Sequence, residues 1–256
     1  MELTARLHTH FVYAIGVLAE HAGPQGLRSA GDGLDVVATG NGPDEFNMAI
    51  FRELPDDPRL AVAWACSVLA GRSDHQMLQV PAALRDDLAA ALQASGATPT
   101  ETVTAMVLPI PRSVPAVPAH VRIERVVTHD ALQACGVAMA AGFGAPQPEL
   151  GRDLFPLSLL DDPRVAFFNG YLPDRDTPAG TAFGIVAEGI AGVYGVTTHP
   201  QLRRAGLGTA MTWAALNFGT TAGVDLAALQ ATALGKPVYT SMGFQIVTTY
   251  QRFAVP

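Results

Sequence analysis

Residues 195–208 read Gly-Val-Thr-Thr-His-Pro-Gln-Leu-Arg-Arg-Ala-Gly-Leu-Gly, and this stretch restricts the fold more than any other. The run from Gly189 to Thr198 is β-rich and predicts a strand. Pro200 stops it, since proline has no N–H for a ladder. Arg203 to Gly208 is a basic, glycine-containing loop, and a helical pattern begins at Thr209. A strand, a glycine loop and a helix start together make a phosphate site from backbone. The first N–H groups of a helix lack intrahelical partners, and the helix dipole adds partial positive charge there. Glycines let the chain approach an anion closely, and arginines add charge-assisted donors.

Two common phosphate loops are excluded. A P-loop closes on Gly-Lys-Ser/Thr, but Gly208 is followed by Thr209 and Ala210. A dinucleotide fingerprint needs a third glycine, and that place is Met211. What remains is Arg-x-x-Gly-x-Gly, from Arg203 to Gly208, directly after a strand ending at Pro200. This pattern resembles the pyrophosphate loop of the GNAT superfamily of acyl-CoA N-acyltransferases. A second segment, Asp225 to Phe244, is similar to that family too. It reads as a strand over Leu226–Thr232, a short helix over Leu234–Ser241, and Tyr239-Thr-Ser-Met-Gly243-Phe244. The likeness covers Gly189–Phe244.

The rest of the chain reads as alternating elements. Leu3, Leu7, Phe11, Ala14 and Leu18 predict an amphipathic helix over 3–21. His8 and His10 would point to different faces of it, which argues against a metal site. Strands are expected at Leu34–Thr39, Phe46–Phe51, Met77–Val80 and Thr100–Leu108, with a turn at 40–43. Helices are expected at Leu60–Ala70 and Pro81–Ala94. Pro109, Pro111, Pro115 and Pro118 suggest a domain boundary. After it come a strand at Val121–Val127, a helix capped by Thr128, and a second helix at Leu150–Leu160. Strands follow at Val165–Leu172, Thr181–Ala187 and Ile190–Thr198, the last two joined by a tight hairpin at Glu188-Gly189. The helix 208–218 and a last strand, Ile246–Ala254, complete the order. The fold class is α/β, or α+β with a mixed sheet. The expected division is residues 1–110 as a smaller domain, 111–119 as linker and 120–256 as the second domain. The resemblance implies a full GNAT fold in the second and a degenerate GNAT-like half in the first. The first half has no Arg-x-x-Gly-x-Gly loop and so would hold no pyrophosphate.

The resemblance also implies site residues. Backbone of Val196 and Thr198 would pair with the pantetheine arm of acetyl-CoA. Backbone from Arg203 through Arg204, Ala205, Gly206, Leu207, Gly208 and Thr209 would hold its pyrophosphate. Thr232 stands where relatives often have Asn or Ser. Gly235 would let a short helix approach the cofactor, with Lys236 near a phosphate. Tyr239 would be the catalytic acid, since a phenol stays protonated at neutral pH and suits a leaving thiolate. Glu188, Tyr194 and His199 are candidates for a base, and none stands out.

The implied activity is an acetyl-CoA-dependent N-acetyltransferase acting on a small primary amine. The competing reading is a non-catalytic acyl-CoA sensor, motivated by the missing base and by Thr232. A net charge of −7 argues against nucleic acid as a partner. No run of 18 apolar residues suggests a membrane span, so a cytoplasmic location is expected. The two cysteines, Cys66 and Cys135, have no metal-site spacing and read as core residues. Homodimerisation stays open.

Overall fold

A computed structural model of the chain describes residues 3–40, 42–72, 76–111 and 115–255. Asn41 of the expected turn and residues 112–114 of the Pro-rich segment lie outside the described residues. The chain forms two compact units. Unit 1 comprises Met1–Met106, Gln230–Thr240 and Phe244–Pro256; unit 2 comprises Val107–Leu229 and Ser241–Gly243.

Unit 1 begins with helix α1, Leu3–Glu20. The hairpin of β1, Leu27–Gly31, and β2, Leu34–Ala38, follows. Next come β3, Asn47–Phe51, helix α2, Pro58–Leu69, strand β4, Met77–Pro81, and helix α3, Arg85–Ala94. Strand β5 is Thr98–Pro109, and the last strand of the chain, β11, is Gln245–Ala254. The strand order is β1-β2-β3-β4-β11-β5. β3 and β4 are parallel, and β11 runs antiparallel to β4. Alternation along β2 sorts its two faces. Leu34, Val36 and Ala38 join Val62, Ala65 and Leu69 of α2 in one core. Asp35 points the other way and accepts a 2.9 Å bond from His8 Nε2 on α1. His8 and His10 are both buried, so α1 is enclosed on more of its surface than an amphipathic stripe would be.

Unit 2 begins with β6, Arg122–Arg125, and helix α4, His129–Gly142. Thr128 caps α4 through a bond from Ala131 N–H, as the sequence predicts. Strands β7, Val165–Tyr171, β8, Gly180–Ala187, and β9, Ile190–Thr198, form an antiparallel run with β6. Glu188 and Gly189 both have positive φ, 53° and 67°, and close the β8–β9 hairpin. Helix α5, Leu207–Thr221, leads to β10, Leu226–Ala231, which pairs parallel with β9. The order is β10-β9-β8-β7-β6. α5 covers one face of β7–β9, where Gly170, Gly180 and Gly184 leave room for Met211, Leu207 and Phe218. α4 lies on the other face: Asn169 Nδ2 donates to Ala131 O, 2.9 Å away.

Two expectations are corrected. The helix expected over 150–160 is two 3₁₀ segments, Pro148–Asp153 and Leu157–Asp161. Pro156 separates them: it lacks a donor and turns Phe155 away from helical backbone. β1 was not expected at all, although Asp32-Gly33 is a hairpin turn signal. No described helix is long and apolar enough to cross a membrane.

Candidate functional site

β9 carries the first half of the site. Its ladder with β8 pairs Thr181 with Thr197 and then Phe183 with Tyr194. β9 therefore spends one more residue than β8 over this interval, which is a β-bulge. Gly195 sits in the bulge with φ +56°. A Cβ there would lie 2.6 Å from Met139 Cε and 2.7 Å from Phe183 Cε1, so space and backbone both demand glycine. The ladder of β9 with β10 couples Ala191 to Ala227 and Gly192 to Ala228. Beyond it, Tyr194–Thr198 is laddered to β8 on one side only among the described residues. Val196 and Thr198 lie on this segment, whose second edge has N–H and C=O groups to offer an extended ligand.

The start of α5 supplies the second half. Gly206 is its N-cap, in left-handed backbone at φ 75°, and no side chain caps this end. The first intrahelical bond is Ala210 N–H to Gly206 O, 3.1 Å. The N–H groups of Leu207, Gly208 and Thr209 precede it and are open to an anion. Among the described residues, a Cβ on Gly208 would approach only Thr198 Oγ1, at 3.7 Å.

The two arginines behave differently. Arg203 folds back: its Nη2 donates to Gly142 O at 3.2 Å, and its Nε to Thr198 O at 3.4 Å. It ties the end of β9 to the end of α4. Arg204 is exposed, has φ 69°, and forms no ion pair among the described residues. Ala205 O accepts a 2.9 Å bond from His120 Nε2, which pins the loop from the side. Val196, Thr198 and Arg203–Thr209 are thus brought together within unit 2.

Thr232, Gly235 and Tyr239 belong to unit 1. Helix α6 is Lys236–Ser241. Gly235 N–H donates to Thr232 Oγ1 at 3.3 Å and Lys236 N–H to Thr232 O at 3.0 Å, so Thr232 caps this turn. A Cβ on Gly235 would lie 3.0 Å from Tyr239 Cε2; the glycine makes room for the tyrosine ring. Tyr239 meets Phe244 edge-on at 5.7 Å. Desolvation pushes its phenol up to about 12, so the phenol holds its proton at neutral pH.

The base candidates fare no better than in the sequence. Glu188 is exposed in its turn. Tyr194 stacks on Phe183 at 5.5 Å, and burial raises its phenol far above the ordinary value. His199 Nδ1, beside Pro200, is buried and has no hydrogen-bond partner among the described residues. Sequence reasoning missed the bulge and Thr181 behind it; neither has a local signal, because register depends on the neighbouring strand.

No protein-family model matches the chain, and no curated protein does. Solved structures do. A GCN5-related N-acetyltransferase from Kribbella flavida aligns with TM-score 0.68 and 19% identity over 100% of this chain and 96% of its own. One from Sphaerobacter thermophilus aligns at 0.62 and 15%, over 100% and 95%. A tandem GNAT protein from the clavulanic acid biosynthesis pathway aligns at 0.59 and 16%, over 98% and 93%. At such identities the likeness concerns the fold. The chain has the fold of the GNAT N-acetyltransferases, in its tandem form.

Proposed function

We propose that the protein is an acyl-CoA-dependent N-acyltransferase that moves an acetyl group from acetyl-CoA to the primary amine of a small substrate. One observation carries the reading: the one-sided segment of β9 runs through Pro200 straight into the uncapped, glycine-led start of α5. An amide-containing arm fits the strand edge, and a pyrophosphate fits the helix start. Arg204 adds a free positive charge, while Arg203 holds the loop in place. The amine attacks the thioester carbon, the C–S bond breaks, and the amine's extra proton leaves to water. Tyr239 is the proposed proton donor to the departing sulfur. Burial pushes its pKa up to about 12, so the phenol enters the step protonated, and the phenolate it leaves recovers its proton from water.

A second reading, acyl-CoA binding without turnover, is favoured by the absence of a poised base among Glu188, Tyr194 and His199. Calorimetry with acetyl-CoA, followed by free-thiol release across an amine panel, separates the two. Binding with thiol release supports the enzyme; binding without it supports the sensor; no binding rejects both. In the enzyme, Tyr239→Phe should lower kcat by roughly 10²–10⁴-fold and leave acetyl-CoA affinity unchanged.

A further inference from the structure

Thr181 is a fully buried hydroxyl on β8, directly behind the bulge of β9. Its Oγ1 donates to Gly195 O at 2.9 Å and lies 3.1 Å from Thr197 Oγ1. A hydroxyl has one proton to give. With that proton on Gly195 O, the Thr197 hydroxyl must be the donor to Thr181. The result is a directed chain, Thr197 to Thr181 to the bulge carbonyl, in which both hydroxyl residues are buried. A bulge leaves a backbone group without its ladder partner, and here a side chain supplies it.

We propose that Thr181 is a positioning residue: by holding the Gly195 carbonyl inward, it fixes the twist of Tyr194–Thr198 and so presents their outer edge to the pantetheine arm. The proposal rests on the acyl-CoA reading above. Thr181 touches no ligand in this scheme. Its partner Gly195 lies at the one point where β9 changes register, three residues from the end of the β10 ladder at Gly192 and three from Thr198.

The scheme separates the two halves of CoA. The strand edge would hold the pantetheine arm, and the start of α5 would hold the nucleotide half. Calorimetry on the full chain with CoA and with 3′-phosphoadenosine 5′-diphosphate, which lacks the arm, tests it. Thr181→Val should bind CoA about tenfold more weakly, as expected when one partly buried acceptor loses its donor, and bind the nucleotide half as the wild type does. Thr181→Ser keeps the hydroxyl and should restore CoA affinity. Thr197→Val leaves the Thr181–Gly195 bond intact and should have the smaller effect. Equal weakening of both ligands, or of neither, by Thr181→Val would overturn the proposal. So would failure of Ser to rescue. A wild type that binds neither ligand removes the acyl-CoA reading itself, whereas one that binds both with equal strength removes only the role of the strand edge.

Discussion

The two units each contain a strand, a loop, a helix and a parallel strand, and the two loops have opposite chemistry. In unit 1 the connection runs from β3 through α2 to β4. Asp57 caps α2, its Oδ1 accepting from Arg59 N–H at 3.0 Å and Leu60 N–H at 3.1 Å. Asp32 accepts from Asp56 N–H at 2.8 Å. Arg52 turns its guanidinium back to Asp35 and to Gly31 O. The position an anion would take is filled by the chain's own carboxylate. β3 is also regular: its ladder with β2 runs without interruption from Phe51 to Asn47, and with β4 from Met48 to Ile50. In unit 2 the connection runs from β9 through α5 to β10. The cap there is a glycine with no side chain, and the strand before it is bulged and edged on one side. A helix start is an anion site only when the sequence leaves its N–H groups unspent.

Five substitutions test that contrast. The largest effect is expected from Gly195→Ala, which puts a Cβ on left-handed backbone and in collision with Met139 and Phe183. It should destabilise the protein by about 2–4 kcal/mol, read as a lower urea midpoint. Gly206→Asp copies the α2 cap onto α5 and should weaken acetyl-CoA binding at least ~100-fold, or about 2.7 kcal/mol. Unchanged affinity in calorimetry would remove the helix start from the site. Asp57→Ala should cost about 1 kcal/mol of stability and leave acetyl-CoA affinity alone. Arg204→Ala should weaken binding only about threefold, with a shallower salt dependence; a larger loss from Arg203→Ala would mean that tethering β9 to α4 matters more than charge.

Much of this was legible in the chain. Pro200, the glycines at 206 and 208 and the apolar spacing of α5 act within a few residues of one another, so the loop and its helix could be read directly. Thr128 and Glu188-Gly189 are local signals of the same kind. A continuous helix over Leu150–Leu160 fails at Pro156 and at the bare Gly151, which faces Gly136 of α4 at backbone contact. The bulge was illegible because Gly195 looks like any strand glycine until Thr181 and Phe183 are set beside it. Arg203 looked like an anion ligand, and its carbonyl partners Gly142 and Thr198 appear only when α4 and β9 are packed. Tandem organisation was readable from the order of elements, but not the membership of β11 in the unit that opens the chain.

That membership sets a clock on synthesis. Arg252 of β11 is buried in unit 1, where its guanidinium binds Gln79, Glu45, Glu101 and Gln230. Gln79 and Arg252 are 173 residues apart. At about 5–20 residues per second, β4 waits about 9–35 seconds for its neighbour. During that interval the β4 edge is unpaired and Gln79 lacks its partner, so the unit made first is the one completed last, and a nascent chain would need shielding there until its final strand arrives.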